Sequence, residues 1–250
     1  MMRKLSGRFS LIVLILLLFP FSVSAQEKIN AAVAANYIQA FKEISQAFEK
    51  QTDVKVEATF SSTGNLYGQI INGAPYDIFL SADETRPARL NKDGVGEKPF
   101  IYARGRCVLW SARKAFCQAK DWRAAIQGDA VKRIAIANPE TAPYGTAAKT
   151  ALVKAALWEP LQQKWVFAQD IAQSFQYAST EATSAGFCAY ASVVSPQGEK
   201  GCYYWIEEAP AIIQSACVLK RTKERAHAER FAAFLVSPEA EAIKTKYGYR

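Results

Sequence analysis

Residues 59–66 read Thr-Phe-Ser-Ser-Thr-Gly-Asn-Leu, a run of hydroxyl side chains with one glycine. The segment before it, Val54 to Thr59, alternates apolar and polar side chains, which predicts a strand. A helical pattern follows from Asn65, so the run joins a strand to a helix. Such a turn directs free backbone N–H groups and hydroxyls toward one point, an arrangement that binds anions. A simple helix cap without a ligand is the alternative interpretation.

A strand and an amphipathic helix precede this segment. Lys28 to Val33 predicts a short strand. After Tyr37, apolar residues recur every three or four positions and predict a helix: Ile38, Phe41, Ile44 and Phe48. Asn36 stands where it would cap that helix. Strand, helix and strand within about 30 residues predict a βαβ unit with parallel strands.

Later parts of the chain repeat this alternation. Apolar runs predict strands at 77–80, 107–110, 132–137, 165–168, 186–190 and 212–219. Helical patterns cover 86–91, 146–157 and 224–236, and a last helix begins at Pro238. The sequence therefore predicts an α/β protein throughout.

Four loops share one position in this pattern, between the end of a strand and the start of a helix. They are residues 34–36, 62–64, 142–145 and 170–172. In open α/β sheets, ligands bind at the carboxyl ends of strands, where helix N-termini direct their partial positive charge. Two loops come from each half of the chain, so we expect a ligand cleft between two lobes.

The first 25 residues have the features of an export signal. Arg3, Lys4 and Arg8 precede an apolar run at 11–21, and Val23-Ser-Ala25 supplies the small residues of a cleavage site. The apolar run is shorter than the roughly 20 residues that a membrane span needs. We therefore predict a signal peptide at residues 1–25 and a soluble, exported mature protein.

The remaining composition argues against several classes of protein. Without the signal, 28 Lys and Arg face 23 Asp and Glu, and no basic run with interleaved aromatic residues supports nucleic-acid binding. The chain has one histidine, His227, in a charged helical stretch, and no CxxC motif. A histidine-based catalytic triad or a Cys/His metal site therefore has almost no candidates.

Five cysteines follow the signal, so at least one has no partner within the chain. A turn at Ser195-Pro-Gln-Gly198 separates Cys188 from Cys202, and we predict that these two form a disulfide. Cys107 with Cys117 is the other short-range candidate.

Several of these segments together resemble the periplasmic molybdate-binding proteins that serve ABC transporters. The resemblance rests on Ala34-Ala-Asn36, Ser62-Thr-Gly-Asn-Leu66, Asn72-Gly-Ala-Pro-Tyr-Asp-Ile-Phe-Leu-Ser-Ala-Asp83, Ala137-Asn-Pro-Glu-Thr-Ala-Pro-Tyr-Gly145, Ser237-Pro-Glu-Ala240 and Tyr247-Gly-Tyr249. It covers the mature chain in order, and the segment ending at Asp83 is its most specific part. Thr63 stands where Ser is frequent in that family, and Ala35 where some members carry Thr.

The resemblance implies a two-lobed, hinge-bending protein of the type II periplasmic binding protein class, each lobe a mostly parallel sheet flanked by helices. Lobe 1 would comprise residues 26–105 and 212–250, and lobe 2 residues 106–211. The oxyanion would be held without a countercharge, in the cleft between the lobes. Carried over by position, the ligand-binding residues are Ala35 and Ile171 through their backbones, together with Asn36, Ser62, Thr63 and Tyr144.

The implied function is capture of molybdate, and of tungstate, in the periplasm for a membrane permease of an ABC importer. The protein would be a monomer and not an enzyme, with no cofactor and no bare metal cation. A ferric-ion-binding protein is the first alternative, since paired phenolates such as Tyr203-Tyr204 suit a hard trivalent ion. A secreted hydrolase is the second, although Ser62 has no base in its motif.

Overall fold

Two five-stranded sheets organise the protein in a computed structural model that describes residues 27–250. The predicted signal peptide lies outside the described residues. The strands are β1 (Lys28–Ala34), β2 (Lys55–Ser61), β3 (Ile78–Ser81), β4 (Phe100–Gly105), β5 (Cys107–Ser111), β6 (Ile134–Ala137), β7 (Trp165–Ala168), β8 (Ala185–Ala189), β9 (Cys202–Trp205) and β10 (Ile212–Val218). The helices are α1 (Ile38–Thr52), α2 (Thr63–Ile71), α3 (Thr85–Lys92), α4 (Trp122–Gln127), α5 (Pro143–Lys154), α6 (Ile171–Ser179), α7 (Tyr190–Val193), α8 (Arg225–Phe234) and α9 (Pro238–Lys246).

Both sheets have the same arrangement of strands. The first has the order β2-β1-β3-β10-β4 and the second the order β7-β6-β8-β5-β9. In each sheet the first three strands are parallel, and the fourth, β10 or β5, runs antiparallel to both of its neighbours. The βαβ unit formed by β1, α1 and β2 is confirmed. Each sheet with its helices forms one lobe, which confirms the predicted two-lobed α/β fold.

Two short connections join the sheets. Arg106 alone separates β4 from β5, and residues 206–211 separate β9 from β10. The predicted residue limits of the two lobes state which residues would move together as one body. They stay a prediction. No helix among residues 27–250 combines the length and apolar character that a membrane crossing requires.

Each lobe has its own apolar core, and helix α1 shows how the sequence builds it. Phe41, Ile44 and Phe48, which recur at helical spacing, are buried against the first sheet. Phe48 also meets Phe231 of α8 edge to face, with ring centroids 5.0 Å apart. Burying such a side chain contributes about 1.5–3 kcal/mol. The helical periodicity seen in the sequence therefore identifies the packed face.

Two helices begin at an earlier residue in the structure than the sequence pattern predicts. Helix α2 starts at Thr63, because Ser62 caps it by accepting the Asn65 N–H at 3.4 Å. Helix α5 starts at Pro143, a residue suited to the first helical position because its missing N–H would have no partner there. Both shifts place more of each loop at a helix N-terminus.

The predicted disulfides are wrong, because Cys117 pairs with Cys202, with Cα atoms 6.2 Å apart. Cys202 lies on the edge strand β9, beside the short 3-10 turn that carries Cys117. Cys107 and Cys188 are buried on the adjacent strands β5 and β8 instead. These two residues and Cys217 are the free cysteines of the described chain.

Candidate oxyanion site

A narrow cavity between the lobes is lined by all six residues predicted for the site: Ala35, Asn36, Ser62, Thr63, Tyr144 and Ile171. The volume open to the centre of a water molecule is about 10 Å³, so the lobes meet closely around it. The sheet register explains the convergence. Ala34 pairs with Ser61 at the ends of β1 and β2, and Ala137 pairs with Ala168 at the ends of β6 and β7. The loops that follow are therefore neighbours in each lobe.

The hydroxyls of Ser62 and Thr63 have different roles. The Ser62 hydroxyl caps α2, as the simpler interpretation of this run predicts. Thr63 is 1% exposed, and its Oγ1 accepts the Ala82 N–H at 3.0 Å. Because that bond uses only a lone pair of the oxygen, the hydroxyl hydrogen of Thr63 stays available for a ligand oxygen.

Gly64 brings the two lobes into contact. Its N–H donates to the Thr141 carbonyl of the other lobe at 2.8 Å. A Cβ atom at this position would lie 2.9 Å from the Thr141 Cα, a distance that real Cβ atoms essentially never show. Glycine is therefore required for this approach, and its N–H binds the opposite lobe and not a ligand.

Asn36 does not cap helix α1, contrary to the expectation from its position. It lies in a 3-10 turn, Ala35–Tyr37, that precedes the helix. Its Nδ2 donates to Gln214 Oε1 at 2.7 Å and to Tyr249 Oη at 3.1 Å. Since both amide hydrogens are used inside lobe 1, the main-chain N–H is the donor that Asn36 can offer to the cavity.

Tyr144 lies in the first turn of α5 and is 1% exposed. Its hydroxyl lies beside Gly105, where a Cβ atom would come within 2.0 Å of it. Gly105 ends β4, so the phenol reaches from lobe 2 to the junction of the lobes. Burial raises the pKa of Tyr144 well above its usual value, so the group stays neutral.

Ile171 begins helix α6, directly after Asp170. The Asp170 carboxylate caps this helix by accepting the Gln173 N–H at 2.9 Å. The Ile171 side chain is buried in the lobe 2 core. Its main-chain N–H is among the first of the helix, which have no partner within the helix.

The cavity is electrically neutral apart from Asp170. Among residues 27–250, no lysine, arginine or histidine lines it. Helices α2, α5 and α6 and the turn at Ala35–Tyr37 all begin at it. Partial positive charge from these N-termini is therefore the electrostatic feature of the site, and it favours an anion.

A larger cavity, about 740 Å³, opens to solvent beside this one and shares Ala82 and Pro143 with it. Charged residues of both signs line it, and Arg86 pairs with Asp83 there. Arg86 Nη2 also donates to the Glu140 carbonyl of the other lobe at 3.3 Å. We interpret it as the mouth of the cleft, because it opens to solvent and residues of both lobes line it.

The geometry does not support the paired-tyrosine alternative. Tyr204 donates its hydroxyl to the Ala119 carbonyl at 2.8 Å, whereas Tyr203 packs against Tyr190 and Trp205. Consecutive strand residues point to opposite faces, so these two phenols cannot bind one ion. Residues 27–250 also contain no group of three or more His, Cys, Asp or Glu side chains that could hold a metal.

The sequence did not predict a role near the site for three buried residues that lie behind the cavity: Tyr102, Gln214 and Tyr249. Gln214 is the one amide in the apolar run 212–219, and it is completely buried. A polar side chain at the centre of a buried strand needs a hydrogen-bond partner, which is the signal that could have identified it. Tyr249 carries no comparable local signal.

Two α/β lobes that close over a cavity lined by neutral donors define a two-lobed solute-binding protein. In agreement with this class, a family model described as "Bacterial extracellular solute-binding protein" matches residues 29–250. The chain belongs to this family.

Relatives with known names match most of the chain. The chain is 38% identical to the molybdate-binding protein ModA of Azotobacter vinelandii, over 89% of each chain. It is also 38% identical to ModA of Rhodobacter capsulatus, over 90% of this chain and 89% of the relative. The solved structure of the Azotobacter vinelandii periplasmic molybdate-binding protein superposes with a TM-score of 0.84 at 32% identity, over 89% of this chain and 98% of the other. The resemblance to ModA-type binding proteins is thereby confirmed.

Proposed function

We propose that this protein captures molybdate for an ABC importer. The observation that carries the proposal is the convergence of four N-terminal turns on one cavity that has no cationic side chain in its lining. The names of the Azotobacter and Rhodobacter relatives support the choice of molybdate among the oxyanions.

A buried dianion must have a donor for each oxygen, because an unpaired charged oxygen costs several kcal/mol. The proposed donors are the main-chain N–H groups of Asn36 or Ala35, Tyr144 and Ile171, together with the Thr63 hydroxyl. Ser62 would contribute indirectly by fixing the start of α2. Fixed dipoles meet the anion without a mobile countercharge.

Such a site distinguishes oxyanions by size. Molybdate, tungstate and sulfate all carry two negative charges near neutral pH, so long-range electrostatics cannot separate them. A fixed ring of donors fits one radius, and the smaller sulfate leaves donors unpaired at about 1–3 kcal/mol each. We therefore include tungstate among the ligands. A protonated phosphate would need an acceptor, whereas the proposed donors all direct hydrogens toward the cavity.

The setting that we propose follows from the same class. The protein would act as a monomer in the periplasm, after removal of residues 1–25, and would pass its ligand to a membrane permease. We expect no enzymatic activity, since no nucleophile is paired with a general base at the cavity. His227 lies on α8 and pairs with Glu27, 3.1 Å away, outside the cavity lining.

Calorimetric titration of the ligand-stripped protein tests the proposal. We expect molybdate and tungstate to bind with one site per chain, sulfate to bind at least tenfold more weakly, and phosphate not to bind. Sulfate binding within threefold of molybdate would contradict selection by size. Lack of molybdate binding would refute the function itself.

A further inference from the structure

Five polar side chains are buried together behind the cavity, where the lobes join. They are Asn36, Tyr102, Tyr144, Gln214 and Tyr249, each 5% exposed or less. Four belong to elements of lobe 1, whereas Tyr144 belongs to α5 of lobe 2. The group therefore spans the two lobes.

Hydrogen bonds within lobe 1 fix Asn36 on the side away from the cavity. The Tyr249 hydroxyl donates to the Asn36 carbonyl at 2.6 Å and accepts from Asn36 Nδ2 at 3.1 Å. Asn36 Nδ2 also donates to Gln214 Oε1, which lies 3.1 Å from Tyr102 Oη as well. Both the side chain and the main chain of Asn36 are fixed by these contacts, directly beside the cavity.

Two polar atoms of the group make no hydrogen bond: Tyr144 Oη and Gln214 Nε2. Both border the space beside Gly105, since a Cβ atom there would lie 2.0 Å from the first and 2.9 Å from the second. Buried polar atoms without a partner are rare in native proteins, so each requires an explanation. The absent side chain of Gly105 leaves room for these atoms to meet.

Donor and acceptor accounting shows how they can be paired. The Tyr249 oxygen donates one hydrogen and accepts one, which leaves a lone pair for the Tyr144 hydroxyl. The Tyr144 oxygen can in turn accept a hydrogen from Gln214 Nε2. With the lobes in contact through the Gly64–Thr141 bond, a small shift of the Tyr144 side chain would thus satisfy both atoms.

We infer that Gln214 and Tyr249 are positioning residues of the oxyanion site, and that the Tyr144 hydroxyl engages them when the lobes close. The inference rests on the proposed function. Because Asn36 borders both the ligand cavity and this network, ligand binding and closure would stabilise each other. The Tyr144 hydroxyl would act only in the closed form, whereas the Tyr249–Asn36 bonds exist within lobe 1 in any form.

The test compares Tyr144→Phe, Tyr249→Phe and the double variant, with Tyr177→Phe as a matched control on the half-buried face of α6, outside the cavity lining. Molybdate affinity and dissociation rate are measured together with urea unfolding of the ligand-free protein. We expect Tyr144→Phe to weaken binding about three- to tenfold through faster dissociation, as for the loss of one neutral hydrogen bond. Its ligand-free unfolding midpoint should equal that of the wild type, and Tyr177→Phe should change neither quantity.

We expect Tyr249→Phe to weaken binding and also to lower the ligand-free unfolding midpoint. The double variant should bind no more than about twofold more weakly than the worse single variant, because both changes break the same link. If Tyr249→Phe does not fold, Gln214→Leu takes its place, alone and combined with Tyr144→Phe, in the same comparison of single and double variants.

Three results would overturn the inference while leaving molybdate binding intact: unchanged affinity in Tyr144→Phe, multiplied losses in the double variant, or an equal loss of ligand-free stability in Tyr144→Phe. A wild-type protein that binds no molybdate would overturn the proposed function and this inference with it.

Discussion

Replacement of Thr63 separates the two roles that its hydroxyl has in the structure. The oxygen accepts the Ala82 N–H at 3.0 Å within lobe 1, and the hydrogen is free to donate into the cavity. The first bond exists in the free and in the ligand-bound protein alike. Its loss therefore affects stability and cancels from the binding free energy.

The magnitudes follow from this division. Thr63→Ala leaves the buried Ala82 N–H unpaired, which should lower the free energy of unfolding by about 1–3 kcal/mol. Loss of a donor to a charged oxygen should cost a further 1.5–3 kcal/mol of binding, about ten- to a hundredfold in affinity. Thr63→Val keeps the shape of the side chain and should match Thr63→Ala in affinity. Thr63→Ser keeps the hydroxyl and should remain close to the wild type in both quantities.

Urea unfolding of the ligand-free variants and calorimetric titration with molybdate measure the two effects independently. If Thr63→Val lost stability but bound molybdate as tightly as the wild type, the hydroxyl would serve Ala82 alone. The proposed donor set would then be wrong at Thr63.

Three further changes test other features. Gly64→Ala should weaken molybdate binding at least tenfold, because its Cβ atom would meet Thr141 on closure; Gly68→Ala, on the open side of the same helix, should keep wild-type affinity, and equal binding by both variants would contradict the closure argument. Removing the Cys117–Cys202 disulfide by a double serine substitution should lower the free energy of unfolding by about 4.5 kcal/mol in the chain-entropy model, given its separation of 85 residues, and an unchanged urea midpoint would count against the pairing. Burial raises the pKa of Cys107 to about 12, so this thiol contributes stability that is complete below the unfolded pKa of about 8.5 and is lost as the pH rises toward 12. In urea titrations from about pH 8 to pH 10.5, Cys107→Ala should therefore lose less stability than the wild type. Equal losses would show that the thiol does not titrate in this way.

The sequence predicts the parts of this protein that local patterns encode. The helical spacing of Phe41, Ile44 and Phe48 identifies the packed face of α1, and strand-to-helix turns identify the loops that meet at the cavity. The cysteine pairing could not be predicted, because Cys117 and Cys202 become neighbours only when β9 joins β5. Short-range spacing is a poor guide when the sheet brings distant segments together.

The same limit explains the error at Asn36. A local pattern shows an asparagine before a helix and predicts a cap. Its partners, Gln214 and Tyr249, lie 178 and 213 residues further along the chain. Only the assembled fold shows that both amide hydrogens are used there.

The place of β10 between β3 and β4 determines the order in which the protein can assemble during synthesis. Strand β4 pairs with β10 alone in its sheet, and a ribosome completes β5 through β9 before β10 is available. The second sheet is contiguous in sequence and can therefore finish first, while the edges of β3 and β4 stay unpaired and open to incorrect strand pairing. Since the oxyanion cavity needs both sheets, a nascent chain cannot bind its ligand until β10 has been inserted.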